Sequence, residues 1–279
     1  MDVWYALTNY LLPFEWAQHI FMQNALITVL LVTPLFGLLG TAVVNNKMAF
    51  YSEALGHSAL TGIAIGVVLG LKNPLLSMVF FSIILAVGIS TVKSSGAASP
   101  DTVIGVFSAA AVSLGIVILS RGGGFNKYSW YLVGDLLSIT PNDIAMLAVI
   151  FVVVLVLWAF IYNKLLLVSV NQSLAHSRGI NVHLFETLFA IIMAVTVTIS
   201  IQWVGLLIIT SLLVLPAAGA RNVSKNVRQY TFISVLITVV SGISGLILSY
   251  YWGTATGATI VLIAACFYIV TFLLKPQFN

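Results

Sequence analysis

Apolar positions along this chain come in long runs, not in alternation. From residue 22 onward they fill stretches near 22–44, 53–71, 75–92, 102–120, 142–166, 182–200, 203–220, 230–251 and 254–274. Runs of about twenty residues match the length a helix needs to cross a ~30 Å hydrocarbon layer. Barrel strands would be shorter and would alternate. The pattern predicts an all-α, polytopic membrane protein of about eight or nine transmembrane helices, with short interfacial or re-entrant and cytoplasmic helices between them. Residues 1–20, "MDVWYALTNYLLPFEWAQHI", are aromatic and mixed and are broken at Pro13. They read as a short external interfacial segment ahead of a single membrane domain over 21–279.

The breaks between runs carry local signals. In "ASPDT", Ser99 is placed as an N-cap with Pro100 at the first helical position, and Thr140 and Pro141 repeat the device. Both clusters read as helix starts, not as chemistry. Residues 121–140 hold a glycine triplet and then a short apolar piece, which predicts a re-entrant or interfacial helix. No Gly-Lys-Ser/Thr follows the triplet, so it is not a phosphate loop. Residues 169–182, "SVNQSLAHSRGINV", predict a short helix from Ser173 to Arg178, ended by Gly179. Pro216 lies inside an apolar run, where it removes one backbone hydrogen bond. It predicts either a packing kink or a hinge.

Composition narrows the class. The 279 residues are 61% hydrophobic and only 6% charged, with a mean hydropathy of +1.12. A soluble domain carries roughly 25% charged residues. The net charge of +4 does not point to nucleic acid, because its bases sit in short loops. The first base is Lys47, so the basic start of a cleavable signal is missing. The single Cys266 excludes an intrachain disulfide. With nine spans, one side receives Lys47, Lys93, Lys164, Arg178, Arg221, Lys225, Arg228 and Lys275. The other receives Lys72, Arg121 and Lys127. The richer side is expected in the cytoplasm, which puts the N-terminus outside and the C-terminus inside.

The segment "YSEALGHSALTGIAIGVVLG" (51–70) is the chemically unusual one. Glu53 and His57 are four residues apart, on one helix face and roughly 6 Å from each other. A carboxylate oxygen and an imidazole nitrogen suit Mn²⁺, Fe²⁺ or Zn²⁺, with further ligands from elsewhere or from water. Ligation requires a neutral imidazole, so acid is expected to weaken binding. Ala54, Ser58, Gly62, Gly66 and Gly70 form a four-residue repeat of small side chains, which lets another helix approach closely. Thr61 is expected beside Glu53 and His57 on the adjacent stripe, making a pathway wall. The plainer alternative is an acid at a helix start, with a satisfied interfacial histidine or a mutual hydrogen bond. Glu15 and His19 repeat the spacing near the outer surface and read as interfacial. Asp135 reads as a cap or local hydrogen bond, and His176 and His183 read as non-ligands.

These residues carry a resemblance. "SEALGHSALTGIAIG" resembles the D-A-x-S-H-A-x-L-P-G signature of the ABC-3 family, the membrane permeases of ATP-driven importers for zinc, manganese and iron. "DTVIGVFSAAAVSLGIVIL" (101–119), "YLVGDLLSITPNDI" (131–144), "SLAHSRGIN" (173–181), "LLIITSLLVLPAAGARNVSKNVRQ" (206–229) and "ATGATIVL" (255–262) resemble further family segments in order. The resemblance implies a homodimeric permease in a prokaryotic cell membrane. It would stand above two cytoplasmic ABC ATPase subunits and be supplied by an extracellular metal-binding protein. The chain itself would hold no permanent cofactor and would carry zinc or manganese. It shows no Walker motif, so ATP hydrolysis would come from the partner. By position, Glu53 and His57 fall on the signature Asp and His. Ser58, Thr61, Gly62 and Gly66 would line or pack the pathway. Ser173, Leu174, Ala175, His176, Ser177, Arg178 and Gly179 would couple to the ATPase. Glu replaces Asp at 53, Gly56 replaces Ser, Thr61 replaces Pro, and "TATG" stands where x-P-T-G is expected. Two rivals are a permease for a larger metal chelate, which needs a wide aromatic cavity, and an ion-coupled carrier, which needs inverted repeats with ionisable residues in both halves.

Overall fold

The computed structural model describes the chain apart from residues 1–3, 6, 7, 9–13, 72, 97, 122–133 and 276–279. The helices are α1 (Ile20–Asn45), α2 (Tyr51–Val68), α3 (Leu75–Ser94), α4 (Pro100–Arg121), α5 (Pro141–Val170), α6 (Gln172–Ser177), α7 (Val182–Val204), α8 (Leu206–Val223), α9 (Val227–Trp252) and α10 (Thr256–Leu274). Short 3-10 turns cover Glu15–Gln18 and Leu136–Ser138. Among the described residues eight helices are long and apolar enough to cross a membrane, and α2 is the long helix outside that set. Its glutamate, histidine and small residues lower its hydropathy, and most of its length is buried. Large side chains such as Phe80, Phe160 and Phe232 point outward, as expected where the surrounding solvent is lipid. The glycine triplet and most of the segment expected to be re-entrant lie outside the described residues, as do Lys72 and Lys127.

Helix ends follow the sequence chemistry. α4 starts at Pro100, and the Ser99 hydroxyl accepts from the Thr102 amide at 3.3 Å. α5 starts at Pro141, with Thr140 and Asp143 in a reciprocal cap: the Thr140 amide and hydroxyl donate to Asp143 Oδ2 at 3.0 and 2.6 Å. Asp135 accepts from the Leu137 amide at 3.1 Å and from the Ser138 hydroxyl, so its carboxylate is spent on a local turn. α6 begins one residue before the expected Ser173. The Asn171 side chain accepts from the Leu174 amide, and Gly179 takes φ +73 beyond its end. α7 runs four residues past the expected boundary at 200. A single residue, Gly205, separates it from α8, and its φ of +84 is open to glycine at little cost.

The chain clusters into two compact units. One comprises 1–41, 134–152 and 203–279, the other 42–133 and 153–202. In the first, α1 crosses α9 closely enough for the Ser234 hydroxyl to donate to the Gly37 carbonyl at 2.8 Å. A side chain at Gly37 would run into the Val235 backbone, 2.7 Å away. Pro216 is buried in α8, and the helix continues through it. In the second unit, Lys93 of α3 and Glu186 of α7 form an ion pair at 3.2 Å, exposed by only 14% and 10%. Beside it, the Ser90 and Thr187 hydroxyls share a hydrogen bond at 2.8 Å. Lys93 also reaches the Met48 sulfur at 3.7 Å.

Lys93 is therefore part of an internal pair as well as a member of the basic loop set. Glu186→Gln leaves that ammonium without its partner in a nearly dry site and is expected to destabilise the protein by about 3 kcal/mol. The joint replacement Lys93→Met with Glu186→Leu should recover most of the loss. Thermal unfolding of the purified variants in detergent checks both, and equal losses in the single and double variants would disprove the coupling.

Candidate cation site

The position of α2 is fixed from its first turn. The Tyr51 amide donates to the Met48 carbonyl at 3.0 Å, and the Tyr51 ring is fully buried with its hydroxyl 3.5 Å from the Ala190 carbonyl. Further along, the small residues face α3. Ser58 and Ser82 share a hydroxyl hydrogen bond at 2.8 Å. Gly62 lies against the Met78 backbone, and Gly66 against the Ser77 hydroxyl and Pro74. On another side of α2, the buried Thr61 hydroxyl donates to the Ala111 carbonyl of α4. Gly115 is packed over Thr61, and a Cβ there would meet the threonine oxygen at 2.7 Å. A side chain at Gly70 would meet no described atom, and the residue lies beyond the helix with φ +69, so the packing row ends at Gly66.

With α3 and α4 clamped on two sides, the remaining face of α2 carries Glu53 and His57. His57 Nε2 is 3.6 Å from Glu53 Oε1, and their side chains are 31% and 49% exposed. That separation is too long for a hydrogen bond. Both groups line an open cavity of about 520 Å³ together with Phe50 and a face of α4 made of Asp101, Ile104, Gly105, Ser108, Ala109, Val112 and Ser113. Thr61 is not in that lining: the structure spends it on the α2–α4 contact. Glu53 and Asp101 give the wall two carboxylates, and its described residues include no lysine or arginine. Among the described residues no three His, Cys, Asp or Glu side chains come together closely enough to hold a metal ion. Glu53 and His57 thus supply two ligating side chains, and a cation here would complete its shell with water or with groups from elsewhere.

The other candidates fall elsewhere. His19 Nε2 is 3.1 Å from the Tyr250 hydroxyl, and its ring stacks on Phe21 with centroids 5.4 Å apart. This is an exposed aromatic contact. His176 and His183 are exposed on α6 and at the start of α7. In α6, Ala175 is fully buried against Val168 and Val182, while Ser173, Leu174, His176, Ser177, Arg178 and Gly179 are exposed. A single anchored alanine thus presents a short polar ridge. Sequence reasoning took Asp101 only as part of a helix start. The spacing 101, 105, 108, 112 puts these residues on one helical face, but nothing local says which helix that face meets.

Helices of membrane-spanning length, with an open cavity whose wall carries two carboxylates and an imidazole, define a polytopic membrane protein. Residues 18–275 match the ABC 3 transport family, and the chain belongs to it. The high-affinity zinc uptake system membrane protein ZnuB of Haemophilus influenzae is 34% identical over 255 residues, covering 91% of this chain and 97% of that protein. The manganese transport system membrane protein MntC of Listeria monocytogenes is 28% identical over 260 residues, covering 93% and 92%. The solved structure of PsaBC from Streptococcus pneumoniae in complex with Fab matches with a TM-score of 0.80 and 25% identity, over 99% of this chain and 97% of that one. The chain is thus a multi-pass membrane protein of a family of zinc and manganese ABC transporter permeases.

Proposed function

We propose that this chain is the permease of an ATP-driven importer for a divalent transition-metal ion, zinc or manganese. It would work as a homodimer with two cytoplasmic ATPase subunits and an extracellular metal-binding protein. The observation that carries this reading is the Glu53/His57 pair on the wall of the α2–α4 cavity. An oxygen and a nitrogen donor suit either metal. Two donors leave the ion partly hydrated, which favours passage over permanent capture. Phe50 is the only aromatic among the described lining residues, a poor match for a bulky chelate. In vesicles containing the permease with its ATPase, Glu53→Gln and His57→Ala are each expected to lower metal uptake at least about tenfold, a loss of about 1.4 kcal/mol or more, with the complex still assembled. Wild-type uptake in both variants would remove the pair from the pathway.

We assign ATPase coupling to α6 and the following turn, from Ser173 to Gly179. Its support is the geometry of a short capped helix held by the buried Ala175 with its polar side outward. Ala175→Asp would bury a carboxylate against Val168 and Val182, at a cost of several kcal/mol. Uptake should fall while ATP hydrolysis persists without stimulation by metal. Stimulation at the wild-type level would rule out the assignment.

The uneven division of bases supports an outside N-terminus and a cytoplasmic C-terminus. A protease-sensitive tag after Asn279 should then be protected in right-side-out vesicles and cleaved in inverted ones. The opposite pattern reverses the orientation.

A further inference from the structure

Asp101 is a charged group that the metal-ligand reading leaves without a role. It stands in the first turn of α4, yet it does not cap that helix, because the Ser99 hydroxyl accepts the Thr102 amide. Its carboxylate has no hydrogen-bond or ion-pair partner among the described residues. It lines the same cavity as Glu53 and His57, on the α4 wall, and the described residues of that lining include no lysine or arginine to neutralise it. It is also too far from the pair to complete a three-residue metal cluster. Its charge therefore acts on the cavity through space and not by coordination.

We propose that Asp101 is a cation-recruiting residue for the Glu53/His57 pair, a role that rests on that pair being the metal site. Among the described lining residues the two carboxylates supply a charge of −2, the complement of a divalent cation. Within a recess of low-dielectric walls, fixed charge raises the local cation concentration and the rate of capture by about 10- to 1,000-fold. Salt screens such an effect over a Debye length of about 8 Å at physiological ionic strength. A group that recruits changes how fast the ion arrives, while a group that ligates changes how fast it leaves. The recruiting role also depends on the charge of the cavity, not on the aspartate itself. Gly105, one turn further on the same face, has open space where a side chain would stand. A carboxylate moved there should serve.

The test is stopped-flow binding of Mn²⁺ or Zn²⁺ alone to the permease–ATPase complex in lipid nanodiscs, read with a fluorescent metal indicator. Asp101→Asn is expected to slow association about tenfold at low salt with dissociation unchanged, and the gap should close as salt is raised. Asp101→Glu should behave as wild type. Adding Gly105→Asp to Asp101→Asn should restore most of the association rate, which a purely structural role for Asp101 would not allow. Unchanged association in Asp101→Asn overturns the proposal. So does a salt-independent loss, or one carried by faster dissociation. Glu53→Gln and His57→Ala separate the two readings: both should speed dissociation. If they do and Asp101→Asn binds as wild type, only the recruiting role fails. If they bind as wild type, the metal site itself is misplaced.

Discussion

The clamp on α2 is the constraint from which the site follows. Hydrocarbon gives two apolar helices no hydrophobic reason to associate, so membrane helices meet through small residues and hydroxyls. Here Ser58, Gly62 and Gly66 bring α3 to backbone distance, and Thr61 fastens α4 through the Ala111 carbonyl. Two sides of α2 are thereby occupied. The polar face cannot turn toward lipid without breaking both contacts, so Glu53 and His57 are held toward the cavity. The same clamp explains how a helix less apolar than the eight others of spanning length is tolerated: its neighbours in the protein take the place of lipid along most of its surface.

Helices and their ends were legible because their causes are local. Span length, proline at the first turn and Ser or Thr before it act within a few residues, and α4 and α5 start where those signals put them. Gly205 was harder to see. An apolar run on both sides conceals a turn that needs only one residue with positive φ, so the α7–α8 boundary read as a short loop. The acid–imidazole pair was legible because an i, i+4 spacing fixes a shared face whatever the tertiary structure.

Thr61 shows where that reasoning stops. Four residues advance a helix by slightly more than one turn, so eight residues displace a side chain by about 80° around the axis. A stripe drawn through Glu53, His57 and Thr61 on paper winds off the cavity face before it reaches the threonine, which arrives against α4. Asp101 is the converse case. It shares a cavity with Glu53 across 48 positions of sequence, and only the packing of α2 on α4 brings them to one space. No pattern within either helix contains that fact.

The acids of the second unit divide by partner. Glu186 is nearly dry and is matched by Lys93 within the protein, so its charge is settled by the fold and ties α3 to α7. Glu53 and Asp101 face an open cavity with no ammonium or guanidinium among its described lining residues. A carboxylate kept wet costs little to hold, but a cavity that loses its water as a transporter cycles cannot leave two negative charges uncompensated. Under the proposed function a cation of charge +2 would balance them, and it would leave again because Glu53 and His57 give it two side chains and not a full shell.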